Sequence, residues 1–253
     1  MNGSSTVTPV IDRQVYGLGA IPCSVSVEEG YARWAATYDH TPNPLLALEQ
    51  RCLLPLLPNI SGKRVLDLAC GTGRWLEKLL AAGSVRGVGI DLSWPMLGVA
   101  RKKTAIGGRL ARADCRKLPF RKAAFDLAVC SFALAHIRNL SELATECSRV
   151  LQQSAHLYIT ELHPTAYAAG WRAGFRDHQG ALQIETAPHA LSEIVNVFGG
   201  TGFKLSCALD CFVGESERPL FTSAGKERLF DAARLVPAVS ILHFRSGSLA
   251  SEK

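Results

Sequence analysis

The sequence has no run of about 18 apolar residues, the length that a helix needs to cross a bilayer. Its first residues also lack the basic stretch and apolar segment of a secretory signal. These two absences predict a soluble, cytoplasmic protein without a membrane partner. With 47% hydrophobic and 20% charged residues, a chain of 253 residues is sufficient for one sizeable α/β domain.

Cysteine pairs at metal-ligand spacing are also missing. The eight cysteines include no CxxC pair, which is the spacing common in structural zinc sites. Cys207 and Cys211 are four residues apart, but the sequence around them is typical of a strand that carries both on one face. We therefore predict reduced thiols and no metal site.

A basic run interleaved with aromatic residues is likewise absent, although the net charge is +6 and the pI is near 9.0. Such a run is the usual sequence sign of an RNA-binding surface. The short run 101–103 falls at the predicted end of a helix, where cations favour the helix dipole. Nucleic acid is therefore an unlikely partner.

The most informative segment that is present is a strand that runs into a glycine-containing turn. Residues 64–69 form an apolar run typical of a buried parallel strand, and Gly71 and Gly73 follow it. Glycine accepts positive φ and lets a ligand approach the backbone, and the amides of the following helix can donate to that ligand. The segment predicts a loop that binds a polar ligand.

A second predicted strand, 85–91, ends in Asp91, eighteen residues after Gly73. A carboxylate at this separation can accept both hydroxyl groups of a ribose. The dinucleotide fingerprint would place a third small residue three positions after Gly73, where the chain has Leu76. The pattern indicates a nucleoside cofactor other than a nicotinamide dinucleotide.

Four segments in this order resemble the class I S-adenosylmethionine-dependent methyltransferases, in particular the group that includes ubiquinone/menaquinone-type and malonyl-carrier-protein methyltransferases. They are residues 66–73 (LDLACGTG), 89–96 (GIDLSWPM), 113–120 (ADCRKLPF) and 125–136 (FDLAVCSFALAH). The resemblance covers roughly residues 30–161. It implies S-adenosylmethionine as cofactor and a Rossmann-like, doubly wound, seven-stranded sheet, mostly parallel with an antiparallel last strand.

The resemblance also implies roles for individual residues of the cofactor site. Asp67 would face the amino group of the methionine moiety, Asp91 the ribose, and Asp114 the adenine amino group. The further cofactor-binding residues are Tyr31, Tyr38, Ala69, Gly71, Gly73, Leu92, Met96, Cys115, Ser131, Phe132 and His136. Gly71 and Gly73 would lie under the ribose and methionine backbone, Leu92 and Met96 would pack against the adenine, and the Cys115 amide would donate to its ring. Ser131 and Phe132 would close the opposite side, and His136 would support the pocket floor.

Tyr31 and Tyr38 belong to a predicted helix over 25–38, in which they share one apolar stripe with Trp34. Packing into the core explains such a stripe equally well. In the resembled family, however, a Tyr-x-x-x-Ala-x-x-Tyr-Asp helix lies across the cofactor pocket, so both readings remain open.

Alternating strand and helix patterns follow along the chain and demand a parallel sheet. Strands are predicted at about 64–69, 86–91, 109–113, 125–131, 155–161, 203–213 and 239–245, and helices near 45–57, 74–82, 94–104, 141–151 and 192–198. We predict a flexible N-terminal arm over 1–22 and a single domain over 23–253. Insertions at about 163–190 and 214–236 are expected to be helical lids.

Histidine is the side chain best suited to remove a proton from a methyl acceptor at neutral pH. His163 follows the fifth predicted strand at its carboxyl end, and His189 precedes the predicted helix near residue 191. We therefore name His163 and His189 as candidate catalytic bases.

The leading functional hypothesis is methyl transfer to an oxygen, nitrogen or carbon atom of a small, partly apolar molecule. Carboxyl methylation of an acyl chain on an acidic carrier protein is an alternative, because the basic surface would attract such a partner. A non-catalytic subunit that binds S-adenosylmethionine is another. The sequence leaves the acceptor and the oligomeric state open.

Overall fold

A seven-stranded sheet forms the centre of the structure, a computed structural model that describes residues 23–178 and 180–247. The strands in chain order are β1 (Cys23–Val25), β2 (Arg64–Leu68), β3 (Arg86–Asp91), β4 (Leu110–Arg112), β5 (Phe125–Ser131), β6 (Leu151–Leu162), β7 (Gly174–Asp177), β8 (Gly180–Ile184), β9 (Phe203–Phe212) and β10 (Pro237–Ser246). The large sheet has the order β4-β3-β2-β5-β6-β10-β9. Neighbouring strands from β4 to β6 are parallel, and β10 is antiparallel to both β6 and β9. The predicted fold class is confirmed.

Helices cover both faces of this sheet. The α-helices of the described residues are α1 (Val27–Trp34), α2 (Pro44–Leu53), α3 (Arg74–Ala81), α4 (Trp94–Ala100), α5 (Leu140–Val150), α6 (Pro164–Ala168), α7 (Leu191–Gly200), α8 (Arg218–Ser223) and α9 (Phe230–Ala233). Short 3-10 turns lie at Tyr38–His40, Leu54–Leu56, Leu134–His136, Glu215–Glu217 and Glu227–Leu229.

The strands that contain the motifs have the bounds expected of buried parallel strands. Four of the five residues of β2 are fully buried, because helices cover the sheet on both sides. The helix predicted over 25–38 is shorter than expected. It begins only after Ser26, whose side chain accepts a hydrogen bond from the Glu29 amide, and the α-helix ends at Trp34.

A second, three-stranded sheet was not predicted and lies over the carboxyl edge of the large sheet. Its order is β1-β8-β7, with β1 parallel to β8 and with β7 and β8 forming a hairpin. Trp34 of α1 stacks on Phe175 of this sheet with ring centroids 5.0 Å apart. We call α1 together with β1, β7 and β8 the cap. The insertion at 163–190 was expected to be helical, but α6 is the one helix among its described residues (163–178 and 180–190), and the hairpin is its main feature.

The second insertion, 214–236, contains α8 and α9 and packs against α2. Phe221 and Phe230 are buried in the hydrophobic cluster on that face of the sheet. Glu217 is buried and accepts two hydrogen bonds of 2.9 Å from Arg51 of α2. The segment is therefore helical, as predicted.

Two general features apply to residues 23–178 and 180–247. None of their helices is both long and apolar enough to cross a membrane, and they contain no cluster of three or more histidine, cysteine or acidic residues arranged to hold a metal ion. The arm predicted over 1–22 lies outside the described residues.

Candidate cofactor and acceptor site

A cavity of about 510 Å³ lies between the carboxyl ends of β2, β3 and β5 and the cap. This edge is where ligands bind in open α/β sheets, and the volume is in the range of small-molecule sites. Most of the predicted cofactor residues line it: Tyr31, Tyr38, Asp67, Ala69, Gly71, Asp91, Leu92, Met96, Cys115, Ser131, Phe132 and His136. The structure therefore brings together residues from the beginning and the middle of the chain.

The glycine turn after β2 has the backbone conformation that its composition predicts. Gly71 and Gly73 have φ values of +54° and +80°, and Gly73 precedes the first residue of α3. A Cβ atom at Gly73 would lie 2.2 Å from Ile106 Cδ1, so no larger side chain fits without movement. Gly73 supports the turn but does not itself line the cavity.

Asp91 connects the end of β3 to this turn. One carboxylate oxygen accepts a hydrogen bond of 2.8 Å from the Gly71 amide, and the other accepts one of 2.7 Å from the Ser93 amide. Burial raises the pKa of Asp91, and these amides partly offset that effect. Each carboxylate oxygen has a further acceptor site, so the group is positioned to accept hydroxyl groups of a ligand in the cavity.

Asp67 lies at the end of β2 and is almost completely buried. It accepts a hydrogen bond of 2.9 Å from the Leu76 amide, while burial raises its pKa to about 7. A carboxyl group with this pKa is partly protonated near neutral pH. A cationic ligand group next to Asp67 would favour the ionised form.

Of the residues predicted to contact adenine, all but Asp114 line the cavity. Met96 is buried on the cavity wall, Leu92 is half exposed at its mouth, and Cys115 lines it. Asp114 is not on the cavity wall. Its carboxylate accepts a hydrogen bond of 2.6 Å from Arg116, and this partner lowers the pKa of Asp114. Its predicted contact with adenine thus has a competing partner.

The cap supplies the aromatic wall of the cavity. Tyr31 donates or accepts a hydrogen bond of 3.0 Å with His136 Nε2, and the two rings meet edge to face with centroids 5.4 Å apart. Tyr38 lies beside Tyr31, with ring centroids 6.4 Å apart. Because Trp34 packs into the cap while the two tyrosines reach the cavity, the apolar stripe of the sequence serves both purposes.

A buried acidic centre next to the cavity was not predicted from the sequence. The Glu49 carboxylate is fully buried and accepts hydrogen bonds from Arg74, Trp75, Ser131 and Thr160. Arg74, the first residue of α3, lines the cavity, and its Nη1 atom is buried without a hydrogen-bond partner in the part of the chain that the structure describes. In the sequence, the position of Arg74 directly after the glycine turn could have marked it as a cavity residue. Nothing in the sequence marked Glu49, since it lies in an ordinary amphipathic helix.

The two predicted catalytic histidines do not line the cavity. His163 Nδ1 accepts a hydrogen bond of 3.0 Å from the Thr165 amide at the start of α6, and its Nε2 lies 3.4 Å from Asp210. His189 uses its ring nitrogens at 2.8 Å from the Ile137 carbonyl oxygen and 3.2 Å from Glu193. The ring nitrogens of both histidines face these partners and not the cavity, so neither is positioned to accept a proton from a ligand there.

Comparison with known proteins gives a family match in the central part of the chain. Residues 65–154 match a family model described as a methyltransferase domain. A protein of uncharacterised function from Haemophilus influenzae is 33% identical over 148 residues, which are 54% of this chain and 58% of the relative. A demethylmenaquinone methyltransferase from Lactiplantibacillus plantarum is 37% identical over 110 residues, 40% of this chain and 46% of the relative.

A malonyl-[acyl-carrier protein] O-methyltransferase from Legionella pneumophila is 35% identical over 111 residues, 43% of this chain and 39% of the relative. The chain thus spans about half the length of the curated relatives it matches, or less. Among solved structures, an S-adenosylmethionine-dependent methyltransferase from Mesorhizobium loti has a TM-score of 0.63 at 22% identity and covers 80% of this chain and all of its own. At this identity the likeness concerns the fold.

Proposed function

We propose that this chain, which carries a class I S-adenosylmethionine-dependent methyltransferase domain, transfers a methyl group to a small, partly apolar molecule by in-line displacement. The family, the enzyme class and the cofactor predicted from the four motifs are confirmed by the family match and the relatives. The acceptor and the roles of individual residues are our proposal.

The observation that carries the proposal is the arrangement of Gly71, Asp91 and Asp67 around one cavity. The glycine turn presents backbone without side chains, Asp91 offers acceptors for a ribose, and Asp67 offers a carboxylate for an ammonium group. The Arg74 guanidinium, whose Nη1 atom is buried without a hydrogen-bond partner among the described residues, offers a donor for a carboxylate on the same side. These groups match the ribose, amino and carboxylate groups of S-adenosylmethionine.

When bound, S-adenosylmethionine supplies an electrophilic methyl group on a sulfonium. The chain has to hold an acceptor in line with that group and keep water out. Tyr31, Tyr38 and Phe132 line the cavity beside the glycine turn and provide a largely apolar wall. A partly apolar acceptor such as an aromatic ring fits this wall better than a strongly charged one.

Calorimetric titration with S-adenosylmethionine and S-adenosylhomocysteine tests the cofactor site. Asp91→Ala is expected to weaken binding by about 100-fold, because two charge-assisted hydrogen bonds are lost. Asp231→Ala is the matched control, since Asp231 is an exposed carboxylate that does not line the cavity. Equal affinity in both variants, or no saturable binding to the folded wild-type protein, would contradict the proposal.

Carboxyl methylation of a carrier-bound acyl chain is a second candidate. It is supported by the Legionella relative and by the net charge of +6, which suits an acidic carrier protein. The two candidates differ in their need for a partner. Turnover of a carrier-bound monocarboxylate, with none of the free acyl compound, would favour the second.

A further inference from the structure

Tyr31 and His136, both predicted as cofactor-binding residues, form a side-chain pair between the cap and the loop after β5 on the wall of the cavity. The Tyr31 hydroxyl oxygen lies 3.0 Å from His136 Nε2, although 105 residues separate the two in sequence. Tyr31 comes from the cap, and His136 ends the 3-10 turn after β5. Both side chains line the cavity, so a ligand can reach the hydroxyl while the imidazole lies behind it.

The surroundings decide which atom donates in this hydrogen bond. Burial lowers the pKa of His136, although the Glu185 backbone favours the protonated ring, so the imidazole is neutral near pH 7. Burial raises the pKa of Tyr31, which is therefore a phenol. A phenol next to a neutral imidazole donates its proton to the nitrogen that carries none. Tyr31 thus donates to Nε2. Nδ1, which is buried near the Glu185 backbone without a hydrogen bond of normal geometry within the described residues, carries the ring proton.

Neighbouring acidic side chains act in the same direction as burial. Coulombic interactions with Tyr38, Asp91 and Glu161 disfavour a negative charge on Tyr31. Tyr31 therefore does not keep a negative charge after it gives up its proton. A proton that leaves it for His136 has to be replaced by another proton from the cavity.

We propose that Tyr31 and His136 form a proton relay for an acceptor with a weakly acidic hydroxyl group, such as a phenol or an enol. The inference rests on the proposed function. As the acceptor oxygen forms its bond to the methyl carbon, the carbon–sulfur bond breaks and its electron pair stays on sulfur. The acceptor proton moves to the Tyr31 oxygen, and the Tyr31 proton moves to His136 Nε2. One positive charge is lost from the sulfonium and one appears on the imidazolium.

This relay distinguishes between acceptor classes. A carboxylate is already ionised at neutral pH and needs no base, whereas a phenol or enol has to lose a proton during the reaction. A buried pair dedicated to receiving a proton therefore has a use with a hydroxyl acceptor and none with a carboxylate. The same relay serves carbon methylation of a hydroquinone, in which the hydroxyl proton leaves to activate the ring.

The probe for the relay is 4-nitrophenol, whose absorbance reports its ionisation. It is titrated into the complex of the protein with S-adenosylhomocysteine at a pH below the pKa of the free probe. Burial disfavours ionisation of any phenol in this cavity, so the comparison is made between variants that share it. The relay predicts that the ionised fraction of the bound probe is about tenfold higher in the wild-type protein than in His136→Gln or Tyr31→Phe. The exposed His178→Gln in the cap hairpin is expected to match the wild-type protein.

Affinity for S-adenosylhomocysteine, measured by calorimetry, distinguishes a failure of the proposed function from a failure of the relay. Absence of this binding in the wild-type protein would contradict the proposed function. Retained binding with a probe that fails to bind, or binds without ionising, would overturn the relay alone. Nitrogen-detected NMR on the wild-type protein is independent of any variant: Nε2 is expected to be the unprotonated nitrogen, and a proton on Nε2 would overturn the relay.

Discussion

The two walls of the cavity are held in different ways. On the sheet side, backbone amides hold the key carboxylates: Gly71 and Ser93 donate to Asp91, and Leu76 donates to Asp67. On the cap side, side chains hold one another, as in the stacking of Trp34 on Phe175. The first wall is determined within a few residues of each strand end, whereas the second depends on pairing between distant segments.

This difference suggests to us that the two walls bind different ligands. A wall built on backbone amides is rigid and suits a cofactor of constant structure. A wall built from side chains on a separate small sheet can change with few substitutions and suits an acceptor that differs among relatives. The following experiments test whether the two walls respond independently.

Glu49→Ala should produce the largest loss of stability, because it removes a fully buried carboxylate and its four accepted hydrogen bonds, one of them from the partly buried Arg74. Breaking a buried ion pair by removing one partner costs about 3–5 kcal/mol, so the free energy of unfolding should fall by up to that amount in urea titration. Glu77→Ala removes a half-exposed carboxylate paired with Lys103 and should cost less than about 1 kcal/mol. Similar losses in the two variants would contradict a buried ionic centre on the sheet side.

Trp34→Ala should loosen the cap and leave the sheet side intact. Trp34 is buried and packs on Phe175 and Tyr38, so its removal should cost the cap about 3 kcal/mol. Hydrogen exchange should become faster in α1 and β8 but not in β2 or β5. Trp94→Ala, which removes a half-exposed tryptophan, provides the comparison. Equal acceleration across the whole sheet would show that the cap is not a separate unit of stability.

Asp67 should release a proton when the cofactor binds. Its pKa of about 7 lies above the unfolded value, so the folded apo-protein retains a proton that the unfolded chain loses as pH rises from about 4. Asp67 therefore favours folding at low pH, and this contribution is lost by about pH 7. A bound ammonium group lowers the pKa again, so binding enthalpies at pH 6.5 should depend on the ionisation enthalpy of the buffer.

Asp67→Asn is expected to abolish that buffer dependence. The variant should also make the decline in stability between about pH 4 and pH 7 shallower, because it removes one titrating group. Glu161, whose pKa burial raises from 4.5 to about 8, would continue to contribute a decline across that interval and up to about pH 8. An unchanged buffer dependence in the variant would assign the proton to another group.

Ala69→Gly should have the smallest effect and should stabilise the sheet side. Ala69 has a φ of +51°, a conformation that costs a residue with a Cβ atom about 1–2 kcal/mol and costs glycine almost nothing. The greater freedom of glycine in the unfolded chain offsets part of this gain, which leaves less than about 1 kcal/mol. The matched Ala128→Gly in the buried strand β5 should be destabilising. A loss in both variants would show that Ala69 is not strained.

The cavity wall on the sheet side could be predicted from the sequence because each of its sequence features lies within one short segment. The acid at the end of β3 and the two glycines after β2 are each read from one short segment, and both strands lie where they were predicted. The hairpin β7–β8 was missed because its pairing with β1 joins residues near 24 to residues near 183. Three-residue strands such as β1 carry too little periodicity to be recognised.

The histidines show the same limit. His163 and His189 were selected because they follow a strand or precede a helix, but local position does not reveal that Thr165 and the Ile137 carbonyl occupy their ring nitrogens. His136 was assigned a supporting role, and its partner Tyr31 could be found only in three dimensions. Glu49 was missed for a related reason, since its four partners come from three separate elements.

The most direct test of the account is a crystal structure of the protein with S-adenosylhomocysteine. We expect the ribose hydroxyl groups on Asp91, the adenine against Met96, and the sulfur atom facing the cap beside Tyr31, with the space between sulfur and Tyr31 open to an acceptor. A ligand that turns its sulfur atom away from the cap, or that fills the space at Tyr31 with its adenine, would contradict the division of the cavity into a cofactor wall and an acceptor wall.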